Sequence, residues 1–169
     1  TYARFRFSID SGLTPTGLAP DGEIEDYAVS IRELDYGDAP DADYATLYAS
    51  DGARHVILPE ANPTLGSLVD AETDGQPSLD ASGDDVVGTP DDEDGVTFDT
   101  PLVPGAVATL TVSAAESSDG VLNAWVDFGG DGDWSEPVDQ IAADLPIAAG
   151  GSEILTFTVP ADAVQDLTY

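Results

Sequence analysis

Short runs of alternating apolar and polar residues recur along the chain, each bounded by Gly, Pro, Asp or Ser. No stretch keeps a helical period over about 12 residues. An alternation of two sends successive side chains to opposite faces of an extended segment, so these runs predict strands buried on one side. Residues 2–9 set Ala3, Phe5, Phe7 and Ile9 against Tyr2, Arg4, Arg6 and Ser8, and residues 26–32 turn Tyr27, Val29 and Ile31 inward. Further strands are expected over 95–98, 106–113 (Leu110, Val112), 121–128 (Leu122, Val126, Phe128) and 153–159 (Leu155, Phe157, Val159). Several short strands at close spacing predict an all-β fold, an Ig-like antiparallel β-sandwich.

Residues 35–94 break the pattern. Apolar islands (Tyr44, Leu47 and Tyr48, then Val56, Ile57 and Leu58) sit in loops rich in Asp, Gly and Pro, with room for one helical turn near 42–48. From Asp70 to Asp94 there are ten acidic residues among 25 and almost no apolar ones, so burial cannot hold the segment. It is either disordered or tied down by ions.

Charge sharpens that choice. Thirty-four Asp and Glu stand against four Arg and no Lys, a formal charge of −30 that drives the compact state apart unless cations neutralise it. Nucleic acid and anionic membrane surfaces are repelled by such a chain and are excluded as partners. All four Arg lie at or before Arg54, so the 115 residues beyond it have no basic side chain with which to pair. Arg4 and Arg6 are expected to meet Glu23, Glu25 or Asp26, and Arg54, beside His55, to order an acidic loop. Without Cys there is no disulfide and no thiolate metal site. No apolar run approaches the ~18 residues of a membrane span, and the chain reads as a soluble, interior piece of a longer protein.

Two acidic clusters are candidate ion sites. In Asp127–Asp139, the residues Asp127, Asp131, Gly132 and Asp133 occupy positions 1, 5, 6 and 7 of an EF-hand-like loop. There a Gly at position 6 allows the turn that wraps hard oxygens round one Ca²⁺. Position 3 is Gly129 and position 12 is Val138, so this is not an EF-hand, and Glu136, Asp139 or water closes the shell. An Asp-Gly hairpin turn without an ion is the competing reading. The second cluster runs through Asp70, Glu72 and Asp74, whose spacing of two faces one side of an extended segment, then Asp84, Asp85, Asp91, Asp92 and Asp94. A solvated acidic loop is the alternative there. With one His and no Cys, the donors are hard carboxylates and carbonyls, which select Ca²⁺ or Mg²⁺, and flexible loops suit the larger Ca²⁺.

Thr168-Tyr169 repeats Thr1-Tyr2 after 167 residues, which predicts a tandem array cut out of its natural phase. The residues RFRFSIDSGLTPTGLAPDGEIEDY (4–27), with GEIEDY at Gly22–Tyr27, resemble the signature of the GEVED domain of large bacterial surface proteins. The likeness continues through 35–57, VDAETDGQPS, DDEDGVTF, LNAWVDFGGDGDW and FTVPADAV; Ile24 stands for the Val of the name and Gly129 for an expected Asn. By that resemblance residues 1–33 end one repeat, 34–94 form the acidic loop-rich start of the next and 95–169 its sandwich strands. The resemblance implies an extracellular or cell-surface module without catalytic activity.

The resulting expectation is a calcium-stabilised structural repeat that extends a surface protein or fibre, with neighbouring copies joined by strand addition. A polysaccharide-binding adhesion module using Trp125, Tyr44 and Tyr48 is the alternative. A glycosidase built on two carboxylates is a weaker one, since acid pairs are unavoidable in so acidic a chain.

Overall fold

A computed structural model describes residues 1–83 and 92–165. Among these, the chain is all-β, with nine strands and one 3₁₀ turn, and it divides into two compact units, Thr1–Arg32 and Glu33–Tyr169.

The first unit is a two-stranded antiparallel ribbon. β1 (Tyr2–Phe7) pairs with β2 (Glu23–Ala28) from Tyr2↔Ala28 to Phe7↔Glu23. Period-two alternation puts Ala3, Phe5, Phe7, Glu23, Glu25 and Tyr27 on one face and Tyr2, Arg4, Arg6, Ile24 and Asp26 on the other. The arginine face is laced to the connecting segment. Arg4 grips the Asp26 carboxylate through Nε at 2.7 Å and Nη2 at 2.6 Å, and donates to the Pro15 carbonyl at 3.1 Å. Arg6 meets no acid: it donates to the carbonyls of Thr14 (2.7 Å), Thr16 (3.0 Å) and Gly17 (2.8 Å). A guanidinium carries five donors in a rigid fork, and here it caps the turns of a loop that has no strand partners of its own. Gly22 closes that loop at φ +93°, where an added Cβ would lie 1.8 Å from the Phe7 carbonyl oxygen.

The other face of the ribbon is bare. Phe5 meets Tyr27 edge-to-face with ring centroids 5.7 Å apart, yet Phe5 remains 61% and Phe7 77% exposed. Tyr27, Val29 and Ile31, expected to point inward, are also exposed, because the unit has no second sheet to cover them.

The second unit contains three antiparallel sheets. β3 (Leu34–Tyr36) pairs with β4 (Arg54–Val56); β6 (Val107–Ser113) lies between β5 (Val96–Phe98) and β9 (Ser152–Thr158); and β7 (Gly120–Trp125) pairs with β8 (Gln140–Ile147). The β6 pattern buries Ala108, Leu110 and Val112 in strict alternation. Leu110 and Val112 meet Leu155 of β9 and Ala142 and Ile147 of β8, with Leu122 and Ala124 of β7 packed alongside, so the last two sheets share one core. A second cluster of Ala108, Val126, Phe128 and Val159 continues it toward the end of β7. The 3₁₀ turn at Tyr48–Ser50 falls at the end of the stretch read as one helical turn.

β8 was not legible in the sequence because QIAADLPI carries Asp144 and Pro146 and has no clean period. The structure accommodates them by shifting register beside Asn123. Asp144 takes φ +49°, and its N–H donates to Asn123 Oδ1 at 3.0 Å. β3 and β4 are three residues each, too short to show alternation.

Candidate metal centre

The segment after β7 dives inward before turning. Val126, Asp127 and Phe128 are all buried, and the chain then loops out and returns to β8 at Gln140. Asp127 sits at the hub of this loop, 1% exposed. Its Oδ1 accepts from the Gly130 N–H at 2.6 Å; its Oδ2 accepts from the Gly132 N–H at 3.0 Å and from the Tyr44 hydroxyl at 2.8 Å. Burial by itself would raise this carboxyl. The hydrogen bonds from Tyr44 and from the N–H groups of Gly132, Gly130 and Asp131 outweigh it and hold the group below the usual carboxylate range. Gly132 has φ +89°, and an added Cβ would meet Asp43 Cβ at 3.0 Å, so position 6 of the loop demands glycine.

With Asp127 holding the backbone, the outer carboxylates converge. Asp131, Asp133 and Glu136 each offer an oxygen within 4.8 Å of the others, all on exposed residues, and the three can hold a metal ion. Asp133 is lowered by the hydroxyl and N–H of Ser135. Glu136 goes the other way: its own backbone N–H pulls the carboxyl down, but burial and the neighbouring Asp131, Asp139 and Asp133 together push it up. A carboxylate raised by three other carboxylates marks a place where positive charge would be favoured.

Asp139 neighbours Glu136 from a buried position. It is 1% exposed; Oδ1 accepts from the Phe128 N–H at 3.1 Å, and its carbonyl accepts from the Val126 N–H at 2.9 Å. Its Oδ2 is buried and takes no backbone N–H or hydroxyl donor among the described residues; its polar neighbour is the Glu136 carboxyl, which it pushes up. An uncompensated buried carboxylate oxygen is costly, and a cation beside Glu136 would satisfy it.

The second cluster divides. Glu72 bridges to β3, its N–H donating to the Leu34 carbonyl at 2.9 Å while Oε2 accepts from the Tyr36 N–H at 2.9 Å. Asp70 Oδ1 and Glu72 Oε1 are buried and take no backbone N–H or hydroxyl donor; the two carboxyls act on each other. Burial, the adjacent Asp70 and the charge of Asp35 push Glu72 up to about 8 against the opposing Tyr36 N–H. Asp74 turns instead to the N–H groups of Tyr48 (2.7 Å) and Gly75 (3.0 Å). Asp92 accepts from the Asp70 N–H at 3.1 Å, and Asp94 from the N–H and hydroxyl of Ser67 at 2.9 and 2.5 Å. Asp84, Asp85 and Asp91 lie outside the described residues.

Tyr44 went unrecognised as part of the loop because it lies 83 residues before Asp127 in the chain. Its ring stacks on Trp134 at 4.8 Å between centroids, and burial with the hydroxyl on Asp127 removes it from any sugar-binding surface. Arg54 spans the Gly52 carbonyl at 2.7 Å and Asp51 at 3.2 Å, with its guanidinium 4.9 Å above the centre of the Tyr48 ring. No helix among the described residues is long and apolar enough to cross a membrane. Comparison with family models, with curated proteins and with solved structures finds no match.

Proposed function

We propose that the chain is a calcium-stabilised structural module of an extracellular or cell-surface protein, a repeat that joins copies of itself and carries out no reaction. The observation that carries this reading is the buried, unpartnered Oδ2 of Asp139 beside the Asp131–Asp133–Glu136 group. A closed loop with one orphaned buried oxygen and three converging carboxylates lacks only positive charge. The donors are all hard oxygens on an exposed loop, which suits Ca²⁺ better than the smaller, octahedral Mg²⁺. The resemblance of GEIEDY and its flanking motifs to GEVED modules supports the surface location and the Ig-like sandwich in permuted repeat phase, and the charge of −30 supports a cation-rich working environment.

The test is thermal unfolding of the full chain in calcium, in magnesium and in chelator. An ion held at about 100 times its dissociation constant adds ~2.7 kcal/mol, which is a rise in Tm of about 5–10 °C for a chain of this size. Calcium should raise Tm by that amount and magnesium by less, and the combined Asp131→Asn and Asp133→Asn substitutions should abolish the gain. A melting curve indifferent to chelator removes the proposal.

A further inference from the structure

The loop between β7 and β8 holds three glycines, and the backbone accounts for only two of them. Gly130 takes φ +60° and Gly132 φ +89°, a region that side chains rarely adopt, and an added Cβ would also press on Val164 at 3.3 Å and on Asp43 at 3.0 Å respectively. Gly129 differs on both counts. Its φ is not positive, and an added Cβ would meet nothing closer than 3.5 Å. The fold accommodates a Cβ there, so what glycine changes is the chemistry that a side chain would bring. The atoms nearest to that Cβ are Asp127 Oδ1 at 3.5 Å, Asp131 Cγ at 3.5 Å and Asp131 Oδ1 at 3.7 Å, all of them carboxylate atoms of the loop. A side chain at 129 would start among the acids that gather the ion.

We infer that Gly129 sets the affinity of the calcium site: by withholding an oxygen donor it keeps binding weak, so that the loop loads and empties reversibly as calcium varies in the millimolar range. Ca²⁺ takes six to eight oxygens, and the charge count of the ligands tunes how tightly it is held. This loop offers few. Asp131, Asp133 and Glu136 converge, while both oxygens of Asp127 accept hydrogen bonds from Gly130, Gly132 and Tyr44. On the buried side, Asp139 is 1% exposed, and its Oδ2 takes no N–H or hydroxyl donor and lies beside Glu136. That oxygen separates the loop from an ordinary acidic turn, whose carboxylates would all be left to water. A site with three exposed carboxylates and no donor at 129 is expected to hold Ca²⁺ with a dissociation constant of ~10⁻⁴–10⁻³ M, as extracellular modules do. A carboxylate at 129 would add charge and close the shell round the ion, and would crowd Asp127 and Asp131 whenever the ion left.

The inference rests on the calcium reading of this loop, and the two fail differently. The test is isothermal titration of the full chain with calcium chloride alone, the natural sequence beside Gly129→Asp, Gly129→Asn and Gly129→Ala. The natural chain should half-saturate at ~0.1–1 mM; Gly129→Asp should tighten binding by roughly tenfold or more, Gly129→Asn, which brings a neutral oxygen, by less, and Gly129→Ala not at all. Gly129→Asp should also melt below the natural chain in chelator and above it in saturating calcium, a crossover that altered packing alone does not produce. Gly129→Asn carries the test if the added charge prevents folding. Should the natural chain bind calcium and neither the Asp nor the Asn variant bind it more tightly, the side chain at 129 does not face the ion, and the inference falls while the calcium reading stands. A dissociation constant below ~10 μM for the natural chain, the range of intracellular sensors, overturns the weak reversible site in the same way. A natural chain that takes up no calcium overturns the calcium reading and this inference with it.

Discussion

Asp139 and Glu72 both hold a buried carboxyl oxygen that no backbone N–H or hydroxyl reaches, and they answer different questions. At Asp139 the charge can be met by a cation, so Asp139→Asn should leave the calcium-free Tm unchanged or higher while shrinking the rise that calcium produces. Melting in chelator and in calcium separates the two effects. Glu72 shares its site with Asp70 and is pushed up to about 8 from an ordinary 4.5. Between those values the folded chain keeps a proton that the unfolded chain has released, so this group makes stability fall as pH rises from about 4.5 to 8, and is neutral to pH above that. Glu72→Gln should flatten that stretch of the Tm–pH profile. Asp127, held low, has the opposite sign: its contribution is full above the ordinary carboxylate range and is lost as pH falls through its folded pKa. Tyr44→Phe deletes the 2.8 Å hydrogen bond to that buried carboxylate and should cost ~1.5–3 kcal/mol in denaturant unfolding. None of these behaviours shows in the sequence, because each depends on burial or on contacts that only the fold supplies.

Among the elements, the legible ones were those whose alternation ran unbroken. β1, β5 and β6 lie within the stretches the pattern marked, and β7 and β9 each begin one residue before theirs, since a buried face every second residue forces apolar residues to recur at that spacing. β8 was hidden by Asp144 and Pro146, whose positions make sense only opposite Asn123 and Val121. The acidic loop of Asp127–Asp139 was legible for a different reason: a glycine at the sixth position and acids around it are local requirements of one turn. Gly132→Ala should therefore lower stability by roughly 1–3 kcal/mol, because the residue needs φ +89° and the methyl presses on Asp43. Circular dichroism melts of this variant, beside Gly12→Ala as a control for positive φ in open space, check whether crowding or backbone strain dominates.

For the whole molecule, charge sets the conditions of stability. With −30 distributed mostly over residues 33–169, self-repulsion should relax as salt shortens the screening length from ~10 Å at 0.1 M to ~3 Å at 1 M. The Tm in chelator should rise with sodium chloride, and calcium at millimolar concentration should exceed that rise, since screening cannot satisfy a buried oxygen. A Tm unaffected by sodium chloride would mean the charges are already far enough apart to be harmless. The amino-acid sequence alone determined the all-β character, the strands with intact alternation, the net charge and two acidic stretches, Asp127–Asp139 among them, for all of these follow from residue type at short spacing. Only the tertiary structure decided that Tyr44 anchors Asp127, that Arg6 caps carbonyls, and that Glu72 is raised beside Asp70 while Asp74 turns away. Those outcomes depend on which segments the fold brings together, as where Tyr44 meets Asp127 and Tyr36 meets Glu72, rather than on any local pattern.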